Sequence, residues 1–206
     1  MTDRAQATRE RILVAAERLY AEHGVLAVSN RQISEAAGQG NNTAVGYHFG
    51  TRTELVRAIA RKHAGPVERL RGRRLDSGRT ELRDWLGCLV YPTTEHLAEL
   101  GTPTWFARFV AQVMTEPSLR AVIIEETLTS PSLARIVAGL YRCLPGLPAD
   151  VRAERNDFTR LVLVHGMAER ERALADGAGT PRAGWRDTAG ALTDVLAGLW
   201  LAPVTQ

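Results

Sequence analysis

Residues 41–48 hold two asparagines, a threonine, a tyrosine and a histidine, and Phe49 and Gly50 follow directly. None of these groups is a strong nucleophile or a strong acid. Together they present amide, hydroxyl and imidazole hydrogen bonds beside aromatic faces, a set suited to polar edges and anionic oxygens. An asparagine such as Asn41 or Asn42 pairs with adenine through two hydrogen bonds, and a methyl such as that of Thr43 meets the thymine methyl. Side chains such as Tyr47 and His48 bond phosphate or stack on the sugar edge.

Catalytic chemistry finds less support. The chain carries no Gly-x-Ser-x-Gly elbow, no phosphate-binding loop and no dinucleotide fingerprint. His165 and Glu169 are four residues apart on an expected helix, a spacing that suits two metal ligands. No third ligand stands at a useful distance, so they read as a polar helix face. Asp84, Glu95 and Glu99 read as surface acids. Cys88 and Cys143 match no metal or redox spacing and read as reduced core thiols of a cytoplasmic protein. The expectation is a protein that is not an enzyme and uses no metal or cofactor.

The elements that position the polar run are helices. Ile12, Ala16, Leu19 and Tyr20 form one stripe over 9–22, the period of an amphipathic helix, and His23-Gly24 closes it. Ser29 and Gln32 make a capping box for a short second helix that Gly38 stops. The polar turn Gly-Gln-Gly-Asn-Asn follows, and 43–49 is a third short helix capped by Asn41 or Asn42. Thr51 and Glu54 read as a second capping box, opening a helix with Leu55, Val56, Ile59 and His63 at helical spacing. Gly65-Pro66 punctuates the chain, giving expected domains of 1–65 and 66–206, with 66–75 as a restarted bridge. Further helices are expected at 79–100, 103–115, 118–128, 131–143, 148–176 and 183–202, set apart by Gly- and Pro-bearing breaks.

Two short helices joined by a tight turn and flanked by longer ones make a helix-turn-helix. Its second short helix enters the DNA major groove with its N-terminal end toward the bases. Asn41, Asn42 and Thr43 then lie where base edges are read, with Tyr47 and His48 beside them. Ser29 and Arg31 would hold phosphates on the near side, and Thr51 and Arg52 on the far side. Charge fits this reading. Residues 1–74 carry 13 Arg/Lys against 7 Asp/Glu (+6), and 75–206 carry 13 against 16 (−3). A basic head on an acidic body suggests a polyanion partner. Taken singly, Asn or Thr at a helix start is also explained as a cap, and Phe49 reads as core.

Residues 9–63 resemble the DNA-binding domain of the TetR family of bacterial transcriptional regulators. The resemblance runs from ILVAAERLYAEHG through VSNRQISEAAG to TAVGYHFGTRTEL. It departs from the common pattern in three places. The turn before the third helix is one residue longer, Gly50 stands where many members carry Lys, and Gly46 stands where Tyr is common. Arg52 is the candidate replacement for the missing phosphate contact.

The resemblance implies an all-α fold: an N-terminal three-helix helix-turn-helix domain plus a C-terminal helical bundle that dimerises. It also implies a cytoplasmic regulator of transcription, a ligand-responsive repressor that acts as a homodimer on a palindromic DNA operator. Phe158, Leu161, Val162 and His165 on one terminal helix, and Trp185, Ala189, Leu192, Leu196 and Leu199 on the next, recur at interface spacing. The same stripes would also serve the subunit's own core. Trp85, Leu89, Trp105, Phe106, Phe109, Met114 and Tyr141 are the candidate lining for a small lipophilic or aromatic effector; singly, each also reads as core. No apolar run is long enough to span a membrane. The competing expectation is a helical protein that binds nucleic acid without sequence preference, marked by steep salt dependence alone.

Overall fold

The computed structural model describes residues 3–41, 43–76, 80–177 and 184–204. Among these residues the chain forms ten helices and no strand. They are α1 (Asp3–His23), α2 (Asn30–Ala36), α3 (Ala44–Phe49), α4 (Arg52–Leu75), α5 (Leu82–Glu99), α6 (Phe106–Met114), α7 (Pro117–Leu128), α8 (Pro131–Cys143), α9 (Ala149–Ala175) and α10 (Trp185–Leu201). The expected breaks at Pro103, Pro117, Pro131 and Pro148 all fall outside helix interiors, where a missing N–H costs least.

Gly65-Pro66 does not break the fourth helix. Pro66 lies inside α4, which is continuous from Arg52 to Leu75. Proline removes one backbone bond, but the turns beyond it are anchored by Val67, Leu70 and Leu75, all buried.

The chain divides into two compact units. One comprises 1–64 and 104–127, and the other 65–103 and 128–206. The first crossing falls beside Gly65-Pro66. Residues 104–127, expected in the C-terminal body, instead pack with the N-terminal helices. The reason is apolar: Phe109, Val113, Leu119 and Val122 share one core with Ile12, Tyr20, Ile33, Phe49, Leu55 and Ile59. Tyr20 and Phe109 stack with ring centroids 6.3 Å apart.

This regrouping changes the charge balance. The N-terminal unit holds 11 Arg/Lys and 9 Asp/Glu, a surplus of only +2. Four of the arginines within 1–74, Arg69, Arg71, Arg73 and Arg74, belong to the other unit.

In the second unit α5 packs against α8 and α10, and α10 packs against α9. The Arg155 guanidinium donates to the Trp200 and Ala202 carbonyls, placing a cation on the C-terminal end of α10. Trp200 Nε1 donates to Thr159 Oγ1 at 2.9 Å. At the start of α8, the Glu68 carboxylate accepts from Ser132 N at 3.0 Å and from the hydroxyls of Ser130 and Ser132 at 2.5 and 2.7 Å. Burial alone would push the Glu68 carboxyl up, but these bonds and the Arg71 charge hold it below the usual carboxylate range.

The α5–α8 contact depends on Gly139. A Cβ there would stand 2.3–2.6 Å from three ring atoms of Trp85. Gly139→Ala should therefore destabilise the protein by about 1–3 kcal/mol through overpacking, read as a lowered urea midpoint. An unchanged midpoint would show that the Trp85 ring is free to move away.

Candidate nucleic-acid interface

The short helices are defined by local hydrogen bonds. The Ser29–Gln32 capping box is complete: Gln32 N donates to Ser29 Oγ at 3.3 Å, and Ser29 N donates to Gln32 Oε1 at 2.9 Å. The Ser29 hydroxyl also donates to Gln32 Oε1, so its proton is already used. At the other end of α2, Gly38 N reaches Glu35 O and Gln39 N reaches Ser34 O, the paired bonds of a Schellman end. Gly38 takes the left-handed conformation this motif needs, with φ 66°.

The turn then leads into α3. Asn41 Oδ1 accepts both Thr43 N at 2.9 Å and Thr43 Oγ1 at 2.7 Å. Asn41 thus closes a turn one step before the helix, and the cap position belongs to Thr43, whose side chain makes no cap bond. Because its carbonyl oxygen is occupied twice, Asn41 has no free acceptor for a two-bond pairing with adenine. Asn42 lies outside the described residues. The second expected capping box is one-sided: Glu54 N donates to Thr51 Oγ1 at 3.1 Å, while the Glu54 carboxylate turns to Arg57.

Burial divides α3 into two faces. Val45 and Phe49 are buried in the core with Ile33 and Ala37. Thr43, Gly46 and Tyr47 face outward, and Tyr47 is 85% exposed, the most exposed large hydrophobic residue described. His48 is half-buried, its ring edge-on to Tyr47 at 5.1 Å. It lines a groove of about 430 Å³ with Arg9, Arg57, Arg61 and Lys62. Most of that groove's charge is balanced internally, since Glu126 lies 2.9 Å from Arg57 and 2.8 Å from Arg61, and Glu10 lies 3.2 Å from Lys62.

The flanking phosphate candidates separate in the same way. Thr51 is exposed. Arg31 is exposed and paired with Glu35 at 2.8 Å. Arg52 turns inward: its Nη2 donates to the Val28 carbonyl at 3.1 Å, and its Nε is buried. Its charge lies near the Tyr20 phenol, which burial pushes up and Arg52 draws back down. Arg52 therefore fastens α4 to the α1–α2 turn, and this geometry does not offer it as the replacement phosphate contact.

The proposed groove face makes a testable separation. A Cβ on Gly46 would meet nothing within 4 Å. Gly46→Ala should raise stability by about 0.5–1 kcal/mol, because alanine loses less entropy in a helix. If α3 lies tightly against DNA, the same methyl should lower duplex affinity. A melt and a binding titration on one preparation check both signs.

The expected effector lining is divided between the two units. Trp105, Phe106, Phe109 and Met114 belong to the N-terminal unit, and Trp85, Leu89 and Tyr141 to the other. Phe109 is fully buried, and Phe106 stacks on His63 at 3.8 Å. Trp105 Nε1 donates to Glu22 at 3.2 Å. Trp85 lies against Gly139, and the Tyr141 hydroxyl accepts from Asn156. On α6 the broad apolar face that suggests a lining is the face packed into the core, with Phe109 and Val113 fully buried and Trp105 and Phe106 packed against them.

The stripes on the two terminal helices differ in exposure. On α9, Phe158 and Leu161 are 47% and 40% exposed, His165 is exposed, and Val162 is half-buried. On α10, however, Trp185, Ala189, Leu192 and Leu196 are buried within the subunit, on a helix that packs on α5 and α9. Leu199 is half-buried, and the open face of α10 carries Val195, Gly198 and Leu201. The regular stripe is the one that periodicity favours; the smaller stripe of Ala191, Val195 and Gly198 is the signal that marks the open side.

A Schellman-ended helix, a turn and a short helix with its polar side outward define a helix-turn-helix protein. Residues 12–59 match the model for bacterial regulatory proteins of the tetR family, and 87–198 match the tetracyclin repressor-like C-terminal domain. The chain belongs to the TetR family of bacterial regulatory proteins. Similar curated proteins include the HTH-type transcriptional repressor AcnR of Corynebacterium efficiens, 35% identical over 94 residues. The Corynebacterium glutamicum AcnR is 34% identical over 94 residues. Each alignment covers 41% of this chain and 48% of the relative, so the chain spans about half the length of the curated relatives it matches. The fold is similar to crystal structures of NalD, the secondary repressor of the MexAB-OprM multidrug efflux pump in Pseudomonas aeruginosa, and of the TetR family transcriptional regulator PfmR from Thermus thermophilus. NalD is 24% identical with a TM-score of 0.61, covering 95% of this chain and 96% of its own. PfmR is 16% identical with a TM-score of 0.57, covering 96% and 98%.

Proposed function

We propose that this chain is a sequence-specific DNA-binding repressor that acts as a homodimer and responds to a small molecule. The observation that carries the reading is the outward face of α3. Its two core residues hold the helix in place while Thr43, Gly46 and Tyr47 are left to solvent. A solvent-exposed phenol on a six-residue helix contributes nothing to the core, and it stands where a recognition helix meets DNA. Thr51 and Arg31 supply polar groups on either side. The repressor role rests on the AcnR likeness, with a place in the cytoplasm and no catalysis as parts of the same reading. Among the described residues no helix is long and apolar enough to cross a membrane.

One helix-turn-helix reads few base pairs, so a two-fold pair of heads is required for a specific site. The dimer face proposed here is the open one: Phe158, Leu161, Val162 and His165 of α9 with Val195, Gly198 and Leu199 of α10. Leu161→Glu tests it. The exposed side chain makes the variant foldable, and the buried charge in the dimer should convert it to a monomer in sedimentation, with duplex affinity reduced more than tenfold, about 1.4 kcal/mol. A variant that stays dimeric places the interface elsewhere. A monomeric variant that binds duplex as tightly as the parent contradicts the dimeric reading.

A further inference from the structure

Within the second unit, α4, α5 and α10 enclose a cleft of about 420 Å³, in the range that holds a two- or three-ring molecule. None of the aromatic residues singled out for an effector lines it. Its rings are Tyr91 of α5 and Trp185, the first residue of α10. The Tyr91 hydroxyl lies beside α10, 3.9 Å from where a Cβ on Gly190 would be. The polar neighbours are few. Thr94 donates its hydroxyl to the Tyr91 carbonyl at 3.0 Å, so that proton is spent on the backbone. Among the described residues three charged groups remain: Arg74, Glu95 and Arg186.

Their arrangement selects a charge. The Arg74 guanidinium lies 4.1 Å over the Tyr91 ring and 3.3 Å from Glu95, so these two charges largely offset each other. Arg186 is exposed and pairs with no carboxylate among the described residues. Among the described residues, the cleft thus has two aromatic walls and a net charge of one guanidinium. A cationic ligand would face that surplus, and a neutral one would leave it unused. A monoanion completes it, and a carboxylate matches the planar guanidinium fork. We infer that this cleft binds a planar aromatic monocarboxylate, its ring against Tyr91 and Trp185 and its carboxylate on Arg186. The inference rests on the effector reading above and names the chemistry of that effector.

Calorimetric titration of the full chain with 2-naphthoate, 2-naphthamide and 2-naphthylmethylammonium tests it. Naphthoate should bind about tenfold or more tighter than the amide, and the ammonium weakest. Arg186→Gln, an exposed substitution whose folding is checked by its melt, should erase the preference for naphthoate over the amide. Glu95→Gln should tighten naphthoate binding, because it removes a carboxylate that lines the cleft. Equal affinity for acid and amide, or an Arg186→Gln variant that keeps the preference, overturns the assignment. Duplex affinity measured with and without naphthoate separates this result from the effector reading. Charge-selective binding that leaves DNA affinity unchanged upholds the cleft's chemistry and contradicts ligand-responsive regulation. Release of DNA by the amine or the amide alone upholds regulation and overturns the carboxylate.

Discussion

Tyr47→Ala should weaken binding to the protein's DNA site by about 1–3 kcal/mol, roughly 5- to 150-fold, while leaving the melting curve in place. The stability half of this expectation follows from exposure. With 85% of its surface open, the Tyr47 ring buries almost nothing in the free chain. Its one ring contact described is the edge of His48, a neighbour in sequence. The affinity half follows from position. Tyr47 lies one turn after Thr43, on the face opposite Val45 and Phe49, where a phenol reaches phosphate or sugar once α3 is in the groove. Tyr47→Phe divides the effect: loss confined to the hydroxyl indicates a phosphate bond, and retained affinity indicates stacking. Unchanged affinity in Tyr47→Ala would mean that another face of the unit meets DNA.

Phe109→Ala should cost about 3–5 kcal/mol of stability, the usual result of emptying a fully buried aromatic site. Phe109 has no exposed surface, stacks with Tyr20, and lies 6.4 Å from Phe106. A loss of this size is a large share of a typical domain's roughly 5–15 kcal/mol, so the variant should unfold at much lower urea. The result discriminates because, from sequence, α6 is a leading candidate for an effector lining. A Phe109→Ala protein of near-parent stability with an altered ligand response would restore that reading. A steep loss of stability makes Phe109 part of the platform that holds α1 and the helix-turn-helix.

The helices are legible because their ends are written in short-range chemistry. Ser29 with Gln32, Gly38, Gly50 and the proline-bearing breaks act through neighbours a few residues away, and the structure uses them as the sequence suggests. Pro66 misleads because a proline's cost is local while its compensation is not: Val67, Leu70 and Leu75 hold α4 together past it. Partners are less legible than elements. The stripes on α6 and α10 show that each helix has a buried face, but periodicity carries no information on which neighbour buries it. Hence α6 is expected in the body although its apolar face meets α1, and the regular stripe of α10 suggests a second subunit although it is buried within its own. Arg52 misleads for a related reason. A cation at a helix start beside a recognition helix suits phosphate, but its hydrogen-bond partner, the Val28 carbonyl, is 24 residues away. The α3 face itself is readable, because inward Val45 and Phe49 and outward Thr43 and Tyr47 follow from helical period alone.

The central claim is that a pair of α3 helices reads sequence. Selection from a random pool of duplex DNA, with sequencing of the bound fraction, tests it most directly. The expected result is an enriched inverted repeat whose half-sites lie about one helical turn or a multiple of it apart. Salt-sensitive binding with no enriched sequence would contradict it and leave a protein that holds DNA by charge alone.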